Sequence, residues 1–251
     1  MLLLLASALA TTPIAEGPWE HLTVQAGDLQ MHALVAGPQD APPVLLLHGF
    51  PDSSYAWRQV LPDLARDHRV IAPDLRGYGA TDRPRDGYDL PTLAQDIVNL
   101  MNALGLDSVD LVGHDWGAAI TWQAANDHPE RFDSITVLNV PHPGALWDTW
   151  QVTPEQRKYK KFANLMKSRI TPRVLAGIAL EDRGPEVYWP ELVDDSVFGA
   201  EQAAYYFELL NEVSETKPPL RYYRTNMKRW RQVWKRAEEA PPAPVKVAPP
   251  P

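Results

Sequence analysis

The chain has 251 residues, 45% of them apolar and 22% charged, which is enough for one large or two small domains with a real core and unlike a disordered chain or coiled coil. A formal charge of −8 disfavours nucleic acid as the main partner, and no apolar run approaches the roughly 20 residues of a membrane-spanning helix. Cysteine is absent, which excludes disulfides, zinc–cysteine sites and thiol nucleophiles but leaves the compartment open.

Residues 1–16 carry four consecutive leucines after Met1 and pass through Ala8-Leu9-Ala10, a small-x-small pattern like that of a signal peptide. No Lys or Arg precedes the leucines, so a signal and an extension without a role in the fold both stand. Cytoplasmic and exported locations are equally open. Two alternating stretches, near 21–25 and 29–35, read as an antiparallel lead-in hairpin. Short apolar runs at Val44–Leu47, Val70–Ala72, Val109–Val112 and Ile135–Leu138 read as strands buried on both faces of a parallel sheet.

The segments between these runs carry helical spacing. Trp57, Val60, Leu61 and Leu64 share one face after Asp52-Ser53, a good cap. Leu93, Ile97, Leu100 and Leu104 share another after Pro91, which suits a first helical turn. Alternating strand and helix implies an α/β fold with a mostly parallel sheet. After Pro143 the strand signal stops. Residues 144–236 read as helical, rich in Trp and Tyr, and broken at prolines. The chain has 25 prolines, six of them among its last eleven residues, so 237–251 reads as a solvated polyproline-like tail.

One motif carries chemistry. Gly113-His114-Asp115-Trp116-Gly117 stands between the third apolar run and an Ala-rich helix. A strand turning sharply into a helix strains its central residue, and flanking glycines let the two backbones approach. Asp115 would then project from the carboxyl edge of the sheet as a nucleophile, and the next N–H would point at an anion. His48-Gly49-Phe50-Pro51 follows the first apolar run, where the other half of an oxyanion hole is expected. The Phe50 and Trp116 N–H groups would together bind a developing negative charge.

Two further segments complete a pattern: Asp74 to Pro84, DLRGYGATDRP, and Leu138-Asn139-Val140-Pro141-His142-Pro143. With these four motifs in order, residues 19–143 resemble the epoxide hydrolase branch of the α/β-hydrolase superfamily. The resemblance implies an α/β-hydrolase core over 17–143 and a helical cap over 144–236, inserted after the fourth parallel core strand. It implies a covalent alkyl-enzyme ester on Asp115, with a small-molecule epoxide and water as partners and neither metal nor cofactor. Tyr223, in Arg221–Asn226, matches a cap tyrosine that donates to the epoxide oxygen. Its partner tyrosine aligns with Phe162, which cannot donate, unless Tyr159 substitutes. His48, Pro51, His114 and Phe162 are expected around the substrate pocket.

In the family, further strands after the cap bear the catalytic acid and a late histidine. All seven histidines here lie at or before His142, and the sequence ends in the proline-rich stretch. The expectation is therefore a C-terminally truncated member whose last strands are absent and whose ester hydrolysis is impaired. The fourth core strand would also become an exposed apolar edge. Seven basic and no acidic residues lie between Arg221 and Arg236, leaving the rest of the chain at about −15; this reads as the solvated face of a cap helix against an acidic body. Two other functions stay open: a haloalkane or haloacetate dehalogenase, which shares an Asp-Trp turn, and a non-catalytic binding protein or gene fragment. The oligomeric state is not legible.

Overall fold

The computed structural model describes residues 17–142, Tyr205, Tyr206, Leu209 and 217–226. The expected extension at 1–16, most of the expected cap with Tyr159 and Phe162, the tail, and the basic run beyond residue 226 lie outside the described residues.

Among the described residues, six strands form one sheet: β1 (Glu20–Ala26), β2 (Leu29–Ala36), β3 (Pro43–Leu47), β4 (Arg69–Pro73), β5 (Val109–His114) and β6 (Phe132–Leu138). Their order is β1-β2-β4-β3-β5-β6. β1 and β2 make the expected antiparallel hairpin, and β2 runs antiparallel to β4. The β3·β4, β3·β5 and β5·β6 pairs are parallel.

The unbroken apolar run of β3 follows from burial on both faces. Leu45 and Leu47 pack with Ile71 and Leu111 beneath α2 (Leu90–Ala103) and α3 (Trp116–Asp127). Val44 and Leu46 enter a second cluster with Val70, Trp57 and Leu61. Each such fully buried side chain contributes about 1.5–3 kcal/mol. In α2, Leu93, Ile97 and Leu100 are buried as their spacing predicts. Asp89 caps the helix by accepting from the Thr92 N–H, with Pro91 in the first turn.

Two expectations are corrected. The helix expected from Trp57 to Leu64 is a 3-10 turn, Ser54–Trp57, followed by a single turn, α1 (Leu61–Leu64). Ser53 does cap the first turn. Pro62 lacks the N–H that a helix continuing through it would use, and Val60 is 44% exposed rather than on the buried face. The second correction concerns β6, which is not buried on both faces. Thr136 and Leu138 are exposed and Ile135 and Val137 half-buried, because β6 is the edge of the sheet among the described residues.

Candidate active site

The strand order reverses direction at β3, whose neighbours are β4 on one side and β5 on the other. Loops leaving β3 and β5 at their carboxyl ends therefore meet, at the position where open α/β sheets form their ligand crevice. That juxtaposition brings Gly49-Phe50 to Asp115.

Asp115 follows the last residue of β5 with φ 52° and ψ −115°, a left-handed backbone that costs a non-glycine residue about 1–3 kcal/mol. The flanking glycines are required by contact. A Cβ on Gly117 would lie 2.2 Å from the Leu47 carbonyl oxygen, and one on Gly113 would lie 2.4 Å from the Gly117 carbonyl oxygen. Gly49 is equally confined, since a Cβ there would lie 2.5 Å from Asp115 Oδ1.

The Phe50 N–H donates to Asp115 Oδ1 at 2.9 Å. Burial pushes the Asp115 carboxyl above the usual carboxylate range, opposed by hydrogen bonds from the Phe50 and Trp116 N–H groups and by nearby His114. Both backbone donors expected to form an anion hole therefore engage the Asp115 carboxylate itself.

Tyr223 lies over this pair. Its ring packs edge-on against Phe50 and Trp116, with centroids at 5.6 and 4.9 Å. Burial and the neighbouring Asp115 push its hydroxyl well above the usual tyrosine value, while a side-chain hydrogen bond with Trp116 opposes them. An indole only donates, so the Tyr223 oxygen is the acceptor and keeps its own proton. The preceding Tyr222 is structural: it is fully buried and donates to the Arg76 carbonyl at 2.8 Å.

His48 precedes the Gly49-Phe50 turn, and His114 precedes Asp115. His48 is fully buried; its Nδ1 bonds the Gly49 carbonyl at 2.9 Å, and its Nε2 accepts from the Leu75 N–H at 3.1 Å. Burial, against the opposing effects of Asp74 and Gly49, lowers its pKa to about 4. It is a neutral brace behind the Gly49 turn. His114 is half-buried, and its Nε2 lies 2.9 Å from Asn139 Nδ2. Pro51 does line a small cleft, with Phe50, Asp52, Tyr78, Leu209 and Pro219.

Several groups around this cleft escaped the sequence reading. Asp74, buried beneath it, accepts from the Ser54 and Ala80 N–H groups at 2.8 and 2.9 Å and pairs with His32 at 2.8 Å. Burial alone would raise its pKa, but the His32 bond and charge, His48 and the Ser54 N–H hold it well below the carboxylate range. Asp52 accepts from the Ser53 N–H at 2.8 Å and from the Tyr206 hydroxyl at 2.9 Å, and burial raises its pKa to about 6. Tyr205 stacks on Tyr55, and its hydroxyl meets Ser53 Oγ. Hydrophobic spacing gives no signal for these polar contacts. The acidic residues at 52 and 74, each adjacent to a glycine or proline motif, are the only trace.

Arg221, the first residue of the basic run, donates to the Pro84 carbonyl and lies over the Tyr88 ring at 5.3 Å. Among the described residues, no helix is long and apolar enough to cross a membrane.

A six-stranded, mostly parallel sheet with a strained Asp at the strand-to-helix turn and a facing Gly-Phe turn defines a class. The chain belongs to the alpha/beta hydrolase fold family, whose model matches residues 42–184. Within it, the similarity is to the epoxide hydrolase branch. Epoxide hydrolase 2 of Caenorhabditis elegans is 38% identical over 158 residues, 62% of this chain and 44% of that protein. Epoxide hydrolase 3 of Xenopus tropicalis is 29% identical over 229 residues, 87% of this chain and 61% of that protein. An epoxide hydrolase structure from Vigna radiata is 29% identical with a TM-score of 0.70, covering 86% of this chain and 74% of that one. The chain thus spans about half the length of the curated relatives it matches.

Proposed function

We propose that Asp115 opens an epoxide by attack at carbon, forming a covalent alkyl ester. One carboxylate oxygen forms the new C–O bond while the epoxide C–O bond breaks and its electron pair stays on oxygen. Tyr223 donates its proton to that oxygen, leaving a β-hydroxyalkyl ester and a tyrosinate that water reprotonates. The observation that carries this reading is the Phe50 N–H on Asp115 Oδ1 at 2.9 Å, with Tyr223 packed on both Phe50 and Trp116. A backbone donor that holds the carboxylate before attack holds the ester carbonyl afterwards, where hydrolysis would build its oxyanion.

Hydrolysis of the ester needs a base for water. His48 has both ring nitrogens engaged and the Nε2 of His114 is bonded to Asn139, so neither supplies one through those atoms. The ester on Asp115 is therefore the species by which this reading is tested. Incubation with styrene oxide followed by intact-mass spectrometry tests this. The expected result is one added epoxide mass, mapped to Asp115 and absent in Asp115→Asn. Diol release unaffected by Asp115→Asn, or an unmodified protein that releases no diol, would overturn the nucleophile assignment.

The dehalogenase reading needs the Trp116 indole N–H for a halide. The bond between Trp116 and Tyr223 favours the epoxide over the halide as the group met there.

A further inference from the structure

The Asn139 turn has no part in the chemistry above, yet it meets the nucleophile turn directly. His114 and Leu138 are the last paired residues of β5 and β6. Beyond them both chains leave the ladder, Asp115 with φ 52° and Asn139 with φ 61°. The Asp115 N–H has then lost its ladder acceptor, and the Asn139 side chain replaces it: Oδ1 accepts that N–H at 3.1 Å. The segment carrying Asn139 is itself held, because the Trp122 indole on α3 donates to the Val140 carbonyl at 3.0 Å.

The proton positions follow. A backbone N–H can only donate, so Oδ1 of Asn139 faces Asp115 and Nδ2 faces His114. That amide group only donates, so His114 Nε2, 2.9 Å away, accepts and carries no proton.

We infer that Asn139 is a positioning residue for Asp115: its amide bridges the strained Asp115 backbone and the unprotonated Nε2 of His114, fixing the aim of the carboxylate. The kinetic consequence rests on the reading of Asp115 as nucleophile; the tautomer does not. Misplacing a reacting group by about 1 Å costs on the order of a hundredfold in rate. Removal of the bridge therefore acts on the rate of attack and leaves epoxide binding alone.

The test uses the 251-residue chain with 15N-labelled histidine, styrene oxide as the probe, and the variants Asn139→Ala and Asn139→Asp. In the parent, the nitrogen signals show His114 Nε2 unprotonated at neutral pH. Asn139→Asp still accepts the Asp115 N–H but offers only acceptors to His114, so Nε2 becomes protonated. Asn139→Ala lowers the maximal rate of adduct formation about 10- to 100-fold with the half-saturating epoxide concentration unchanged, and Asn139→Asp recovers part of that loss. Because Asn139→Asp keeps shape and acceptor, it guards against a simple folding defect. A protonated Nε2 in the parent, an Asn139→Asp signal identical to the parent's, or an Asn139→Ala adduct rate equal to the parent's would each overturn the inference. If the parent forms no adduct at all, the nucleophile assignment falls, and the two tautomer readings decide the bridge by themselves.

Discussion

The backbone N–H of Phe50 donates to Oδ1 of Asp115 across 65 residues of sequence, at 2.9 Å. The donor is held by the turn after β3 and the acceptor by the turn after β5, so their separation is set by two paired strands rather than by a loop. Preorganised donors of this kind need no rearrangement when charge develops.

Attack requires Asp115 ionised, and burial raises its pKa. The rate of adduct formation is therefore expected to fall as pH drops, with a midpoint above the ordinary carboxylate value of about 3.9. Intact-mass time courses across pH 4 to 9 measure it. A midpoint at or below the ordinary value would contradict the desolvated site.

Tyr223→Phe keeps the ring between Phe50 and Trp116 and removes only the hydroxyl. On the proposed mechanism, loss of general acid assistance is worth about 10²–10⁴-fold, so adduct formation slows by that order, while the acceptor lost to the Trp116 indole costs about 1–3 kcal/mol of stability. An unchanged rate would assign the proton to another group.

Two alanine substitutions separate site from scaffold. The Cβ of Gly117→Ala meets the Leu47 carbonyl oxygen at 2.2 Å, so this variant loses stability through backbone displacement, by about 1–3 kcal/mol or more. The Cβ of Gly49→Ala meets Asp115 Oδ1 at 2.5 Å and acts first on the Asp115 carboxylate. Denaturant melts and adduct rates on both variants give opposite rankings.

Asp52 has its pKa raised to about 6 by burial. A raised folded-state pKa means that its contribution is fully present below the unfolded value near 4 and is lost as pH rises through about 6. Asp52→Asn keeps a carbonyl oxygen for the Ser53 N–H and the Tyr206 hydroxyl, both of which donate to Oδ1. It should stabilise the protein above pH 7 by roughly 1–3 kcal/mol, with little gain near pH 4. Equal effects at both pH values would show that the carboxylate is not desolvated.

Asp74 has the opposite sign. Its depressed pKa contributes stability that is present above the ordinary carboxylate value and is lost only as pH falls below it. Asp74→Asn replaces one acceptor by a donor facing groups that themselves donate, and breaking a buried pair costs about 3–5 kcal/mol. Urea melts at pH 7 report the loss, and the acid limb of stability becomes shallower in the variant.

The sheet and the Gly113–Gly117 turn were legible because each rests on a local rule. Val44–Leu47 reads as a buried strand since both faces of β3 are covered, and Gly113 and Gly117 mark a close approach that any side chain would block. The 3-10 turn at Ser54–Trp57 was not legible, because the apolar spacing of Trp57 and Leu61 fits a helix that Pro62 interrupts. β6 has the composition of a central strand, and its half-exposed faces follow from its place at the edge of the sheet among the described residues. His48 accepts from Leu75, 27 positions away, a contact that its place in the motif does not announce. The Asp74–His32 pair and the Asn139 bridge likewise join residues far apart in sequence, where no periodicity points from one to the other.

The strand order carries a consequence for how the protein is made. β4 lies between β2 and β3, so the first four strands can complete their ladders before β5 leaves the ribosome. β5 pairs with the remaining edge of β3 and brings Asp115 to the Phe50 turn. Every strand that frames the donor therefore precedes in sequence the strand that carries the carboxylate.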